Sequence, residues 1–298
     1  MSTSNGRTTT SLRWLISLVV ALFVVASCGS DSETAGVKLD DATRAKLDQT
    51  LDAAFAKSGM PGVVVSIWIG DHQWVKSLGV ADLTTKAPYK IDDYGRIASI
   101  SKTFTATAIL QLVDQKKLSL DDKLESFVPG IVNGAKISIR DLLDMRSGLY
   151  DFTADDAFVN AFDANPTIAW TPEQAVDIVR AHPADFEPGA KTVYCDSNYI
   201  LLGLILEKVT GRKADDVINN DVVAKLPGLS HTNFPTGFTV PEPHPTAYLP
   251  DENDPSRPPT VVNEVNPAVG WTAGAMTSTV DDLKVWTREL TDGKLLSP

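Results

Sequence analysis

Ile97-Ala98-Ser99-Ile100-Ser101-Lys102-Thr103-Phe104-Thr105-Ala106-Thr107-Ala108-Ile109-Leu110-Gln111-Leu112-Val113 is the run that decides how the rest of the chain is read. From Ser99 to Val113 its alanines and large apolar residues predict a helix buried on most of its sides. Ser99 and Lys102 stand three residues apart, so a helix brings the hydroxyl and the amine onto one face. Ser99 falls at the helix start, where unpaired N–H groups and the helix dipole favour a developing oxyanion. A lysine buried against an apolar helix can lose its proton near neutral pH and act as a base. The same letters equally describe a capping serine followed by a solvated lysine.

Upstream, Asp40 or Asp41 starts a predicted helix with Leu47, Leu51, Ala54 and Phe55 on one face, stopped by Gly59 and Pro61. Val63 to Ile69 is β-branched and aromatic, Gly70-Asp71 turns, and Gln73 to Val80 follows, which predicts a hairpin. Downstream to about residue 225 the signals are mostly helical: a segment opening at Ile139, a capped start at Thr171-Pro172-Glu173-Gln174, and an apolar helix from Tyr199 to Val209 ended by Gly211. Eight of the 18 prolines lie between Pro235 and Pro259, which predicts a long irregular excursion. A last helix runs from Thr279 to Leu290 with Asp281 and Asp282 in its first turn. The pattern is α+β: a helix-and-hairpin start followed by a large helical insertion.

The N-terminus reads as an export signal over residues 1–27, with Arg7 and Arg13 before an apolar run from Trp14 to Ala26. That run is shorter than the ~20 residues needed to span a bilayer. It ends in Val25-Ala26-Ser27-Cys28, which resembles a bacterial lipobox; the resemblance implies cleavage before Cys28 and lipidation of its sulfur. Residues 28–38 are small and polar, as a flexible tether requires. The body then spans 39–298. These features predict a protein held at the outer face of the cell membrane by a lipid anchor.

The formal charge of −11 falls to −13 once the leader's two arginines are removed. Such a chain repels phosphate, so nucleic acid is excluded as a partner by bulk attraction. With Cys28 lipidated, Cys195 has no disulfide partner. His72, His182, His231 and His244 are scattered without metal-ligand spacing, and no Gly-x-Ser-x-Gly or Gly-rich phosphate loop occurs. No metal or cofactor is implied.

Two further runs complete the picture: Leu142-Leu143-Asp144-Met145-Arg146-Ser147-Gly148-Leu149-Tyr150-Asp151, and Tyr194-Cys195-Asp196-Ser197-Asn198-Tyr199-Ile200-Leu201-Leu202-Gly203 preceded by Pro188-Gly189. With Ser99-Ile100-Ser101-Lys102, and in this order, they resemble the serine β-lactamase and penicillin-binding family, nearest to secreted D-alanyl-D-alanine carboxypeptidases and class C-like β-lactamases. The resemblance implies a helical domain inserted into an antiparallel-sheet domain, with the site between them. It implies a covalent acyl-enzyme on Ser99, Lys102 as the activating amine, and Tyr194 as the proton shuttle, a phenol of lowered pKa beside the lysine.

Two departures qualify it. The family's second motif reads Tyr-x-Asn, whereas Asp196 holds the third place here. Ionised, Asp196 favours the charged form of Lys102 and shifts the base role to Tyr194. The third motif, Lys-Thr-Gly or His-x-Gly on a C-terminal strand, is absent from these 298 residues. The expectation is therefore a domain whose C-terminal strands are missing, with the hairpin Val63–Val80 left uncovered. Two readings follow. One is a serine hydrolase acting on peptide, lactam or ester carbonyls through Ser99. The other is a cell-surface lipoprotein that binds peptidoglycan stem peptides or β-lactams without turnover.

Overall fold

The computed structural model describes residues 38–250 and 257–297. The leader, Cys28 and all of the tether but Lys38 lie outside the described residues.

Asp40 accepts the Thr43 N–H at 2.8 Å and caps α1 (Asp41–Ser58), which Gly59 ends in a left-handed conformation. The expected apolar face is only partly realised. Leu47, Leu51 and Phe55 are half-buried, Ala54 is exposed, and no residue of the helix is fully buried. Polar contacts tie it down instead: Lys76 reaches Asp48 at 3.3 Å and Asp52 at 2.8 Å, and the Trp74 indole N–H donates to Asp48. The predicted hairpin is present. β1 (Gly62–Ile69) and β2 (His72–Gly79) pair antiparallel from Gly62↔Gly79 to Ile69↔His72. These two strands form a sheet of their own, and every residue of β1 is half-buried.

The chain then enters a short strand, β3 (Gly95–Arg96), passes a single 3-10 turn at Ala98–Ile100 and continues as α2 (Ser101–Asp114). The helix expected from Ser99 thus opens as a 3-10 turn, because Ala98 takes a left-handed φ of 43° and breaks regular geometry just ahead of it. After α2 come α3 (Ile139–Leu143), α4 (Asp156–Ala164), α5 (Pro172–Ala181), α6 (Ser197–Thr210) and α7 (Ala214–Val217). Their ends follow the sequence signals. Ser138 and Asp141 cap each other's backbone at the start of α3, Thr171 and Gln174 do so for α5, and Gly211 closes α6.

The core sits in this helical body. Ile200, Leu201, Leu202, Ile205 and Leu206 on α6 and Phe104 and Ile109 on α2 are all fully buried. Among its described residues the proline-rich stretch is irregular except for β4 (Tyr248–Leu249), which pairs with β5 (Thr260–Val261) just beyond it. The chain returns through α8 (Pro267–Gly274), β6 (Thr277–Ser278) and α9 (Val280–Asp292), capped by Thr279. β6 pairs with β3, and Trp286 of α9 stacks on Phe104 at 3.8 Å between ring centres. This return brings residues 271–278 against the N-terminal end of α2.

Candidate active site

Three contacts fix the start of α2 against residues 272–276, and a fourth ties that segment to α6. The Ile97 N–H donates to Met276 O at 2.9 Å, and the Met276 N–H donates to Ser101 Oγ at 3.0 Å. Thr105 Oγ1 donates to Thr272 O, and Thr272 Oγ1 donates to Tyr199 O on α6. The α8–β6 segment is thereby wedged between α2 and α6. It is bent to fit, since Trp271 adopts φ 35° and ψ −128° within it. Gly203 is where α6 admits this wedge: a Cβ there would stand 2.3 Å from Thr272 Oγ1.

The second sequence run is laced to the third in the same manner. The Val193 N–H donates to Met145 O, the Gly189 N–H to Arg146 O and the Asp185 N–H to Gly148 O. Ser197 Oγ bridges, accepting from the Phe152 N–H and donating to Tyr150 O. Gly148 sits at φ 74° with Phe186 O where a Cβ would be, so only glycine fits.

These two assemblies bring together all four residues singled out in the sequence. Lys102 Nζ is 3.1 Å from Ser99 Oγ, 2.6 Å from Asp196 Oδ1 and 2.7 Å from Ala273 O. Ser99 Oγ and the Tyr194 hydroxyl are 2.5 Å apart, either able to donate. The Tyr194 hydroxyl also donates to Asp196 Oδ1 across 3.4 Å. Lys102 Nζ lies 4.9 Å from the centre of the Tyr194 ring. Lys102 and Asp196 are buried, while Tyr194 is 51% exposed at the mouth.

An ammonium has three N–H donors and no acceptor, and Lys102 faces three oxygens. Protonated Lys102 therefore satisfies its surroundings completely. Its donation to Ser99 Oγ leaves the serine proton to point at Tyr194. The expectation of a lowered tyrosine pKa is corrected: burial and the Asp196 charge raise the Tyr194 hydroxyl above its ordinary value, and Lys102 and Ser99 offset this only in part. Tyr194 is thus a protonated phenol at neutral pH.

Ser99 and Asp196 lie in a cleft of about 1100 Å³, with Phe152, Phe158, Phe238 and Tyr248 among its walls. The proline-rich excursion forms part of this lining. Arg96 pins it there, donating to Phe238 O at 3.1 Å and to Asn263 O at 2.6 Å. A second cavity of about 510 Å³, lined by Asp114, Arg212 and Asp221 among others, contains none of the four site residues.

Cys195 is buried and unpaired among the described residues, and its thiol is pushed far above the ordinary range by burial and by Asp151. Of the four histidines, His182 stacks on Tyr150 and His231 packs against Tyr94 and Asp282; none contacts Ser99. Among the described residues no cluster of metal-ligating side chains occurs, and no helix is long and apolar enough to cross a membrane.

Two contributors escaped the sequence reading. Ala273 acts through its backbone oxygen, which no side-chain pattern reveals. Asp151 was part of a quoted run but carried no assigned role. Its Oδ2 accepts the Asp196 N–H at 3.2 Å.

A serine, a lysine and a tyrosine thus converge at the start of a buried helix, at the edge of a cleft. The chain belongs to the Beta-lactamase family, whose model matches residues 47–298. Among solved structures it is similar to a D-stereospecific amidohydrolase from Streptomyces sp., at 36% identity over 85% of this chain and 74% of that one, with a TM-score of 0.75. It is also similar to the D-amino acid amidase of Ochrobactrum anthropi SV3, at 27% identity over 86% of this chain and 72% of that one, with a TM-score of 0.72. Curated relatives include a D-aminopeptidase of Brucella anthropi, 32% identical over 56% of this chain and 31% of the relative. Another is a putative D-alanyl-D-alanine carboxypeptidase of Escherichia coli (strain K12), 31% identical over 46% of this chain and 33% of the relative. The matched stretches cover about a third of these curated relatives' length.

Proposed function

We propose that the chain carries the nucleophile of a serine hydrolase that opens peptide, amide, lactam or ester carbonyls through an acyl-enzyme on Ser99. The observation that carries this reading is the placement of Ser99 Oγ within 3.1 Å of Lys102 Nζ and 2.5 Å of the Tyr194 hydroxyl, at the edge of one cleft. Ser99 Oγ attacks the carbonyl carbon. Its proton passes to Tyr194 as the tyrosine's own proton passes to Asp196 Oδ1, so a tyrosine that stays protonated at rest serves as a relay. Lys102, kept as an ammonium, orients Ser99 and offsets the growing negative charge. The tetrahedral adduct then expels the amine or alcohol, which takes the proton back along the same chain, and the ester on Ser99 remains. Water enters by the reverse sequence, releasing the acid and restoring the serine.

D-Alanyl-D-alanine carboxypeptidase or β-lactamase-type hydrolysis is the substrate reading; the three quoted runs and the name of one relative support the first, and the family supports the second. Cys28 as a lipid anchor at the extracytoplasmic face rests on the lipobox-like run alone. Detergent partitioning of the expressed protein beside Cys28→Ala tests it; equal partitioning of both contradicts it.

The function is tested with a fluorescent penicillin, a chromogenic cephalosporin, a D-alanyl-D-alanine peptide and a D-amino acid amide, each beside Ser99→Ala. Turnover that depends on Ser99 supports hydrolysis. A stable Ser99-dependent label with no turnover supports the binding lipoprotein in its place. Absence of every Ser99-dependent signal contradicts hydrolysis through Ser99 and leaves the non-covalent binding lipoprotein.

A further inference from the structure

We infer that Asp151 is a positioning residue of this site: it holds the Asp196 backbone N–H and, through Asp196, sets where Lys102 and Tyr194 stand against Ser99. This rests on the reaction proposed above and adds to it a group that touches neither substrate nor nucleophile.

The geometry is direct. Asp151 Oδ1 accepts from the Thr153 N–H at 3.1 Å and from Thr153 Oγ1 at 2.9 Å, which fixes the carboxyl plane at the start of the 3-10 turn Phe152–Ala154. The other oxygen, Oδ2, is thereby aimed at the Asp196 N–H. Asp196 is the last residue before α6, and its side chain carries the ion pair with Lys102. Tyr194 lies two residues earlier in the chain. The carboxyl of Asp151 therefore anchors the piece of backbone from which both site residues project. A misplacement of about 1 Å at such a point costs about 100-fold in rate.

Asp196 Oδ1 is engaged by Lys102, and Oδ2 is buried and accepts no hydrogen bond from the described residues. The Asp151 bond to the Asp196 N–H holds the backbone from which that carboxylate projects.

Charge follows from the same contact. Around Asp151 the charged and titratable groups are Asp196, its chain neighbour Tyr150, and Cys195, with Lys102 reached through Asp196. Burial and the Asp196 charge push the Asp151 carboxyl up to about 6. An ionised carboxylate accepts an N–H about twice as strongly as a neutral one. The anchored form is then the ionised one, present above that value and lost as pH falls through it.

The experiment compares the full chain with Asp151→Asn and Ser99→Ala, measuring the rate of acylation by a fluorescent penicillin against pH and against probe concentration. Asparagine has a single accepting oxygen; with that oxygen on the Thr153 N–H it presents an N–H₂ group, which cannot accept, to the Asp196 N–H, so the turn stays capped while the anchor is lost. The expected result is a 10- to 100-fold lower acylation rate with little change in the probe concentration at half-saturation, and loss of the acidic limb near pH 6. A readout independent of rate is the amide proton of Asp196 followed by NMR. It should titrate near pH 6 in the unsubstituted chain, and in Ser99→Ala, but not in Asp151→Asn. Equal rates and pH profiles with and without the substitution, or an Asp196 amide that does not titrate, would overturn the inference and leave the proposed function standing. Absence of Ser99-dependent acylation in the unsubstituted chain overturns the function, and the inference with it.

Discussion

Lys102 Nζ and Asp196 Oδ1 are 2.6 Å apart and both side chains are buried, so the amine beside the nucleophile is one half of an ion pair. In the family pattern the corresponding acid is a neutral asparagine. The difference underlies the proposed proton route, in which Ser99 hands its proton towards Tyr194 and the carboxylate.

Replacing Asp196 by asparagine removes both the partner of Lys102 and the terminal proton acceptor. Lys102 Nζ, 3.1 Å from Ser99 Oγ, is then the remaining basic group in contact with the serine. The acylation rate of Asp196→Asn should fall by about 10- to 100-fold at pH 6 and recover as pH rises, moving the optimum upward. A stopped-flow pH series checks this, and a profile identical to that of the unsubstituted chain would falsify the relay.

Tyr194→Phe deletes the relay while keeping the ring. Acylation should slow by about 10²–10⁴-fold. Because Tyr194 is 51% exposed and its hydroxyl bonds only within the site, the melting temperature should hardly move. Rate and melting curve measured on one preparation separate a catalytic loss from misfolding.

Gly203→Ala places a Cβ 2.3 Å from Thr272 Oγ1 and 2.6 Å from a Trp271 ring carbon, both in buried side chains. Overpacking of this kind costs about 1–3 kcal/mol. Calorimetry should record a melting temperature lower by about 2–4 °C for each kcal/mol. Ala273, whose backbone oxygen holds Lys102, follows Thr272 in the chain. The substitution should therefore slow acylation as well as lower stability.

Cys195 neighbours the reacting groups in sequence but is chemically silent. Its thiol is buried and donates towards Leu149 O, and burial keeps it protonated. A thiol-specific chromogenic reagent should leave it unmodified in the folded chain and titrate it fully in denaturant. Rapid modification of the native protein, with loss of activity, would contradict this.

Much of the fold was legible because local chemistry and tertiary structure agree. Asp40, Thr171 and Thr279 cap the helices that their positions announce, and Gly59 and Gly211 end theirs in the left-handed conformation. The hairpin from Val63 to Val80 follows from β-branched residues on either side of Gly70-Asp71. The face of α1 was less legible, since apolar spacing does not reveal that Asp48 and Asp52 would seize Lys76. Ser99 and Lys102 were readable as a pair from their spacing on one helix, Tyr194 and Asp196 only through the family resemblance, and the structure brings the four side chains together. What sequence could not reveal is what acts through space. The Ala273 carbonyl meets Lys102 across 171 residues, and Tyr194 is desolvated beside Asp196, which reverses the expected direction of its pKa.

The central claim is a covalent bond to Ser99. The most direct measurement is the intact mass of the chain after brief exposure to a penicillin, followed by peptide mapping of the adduct. The account predicts a mass increase of one acyl group, on the peptide containing Ser99, absent in Ser99→Ala and delayed in Tyr194→Phe. An adduct on any other residue, or none in a folded chain at saturating probe, would contradict it.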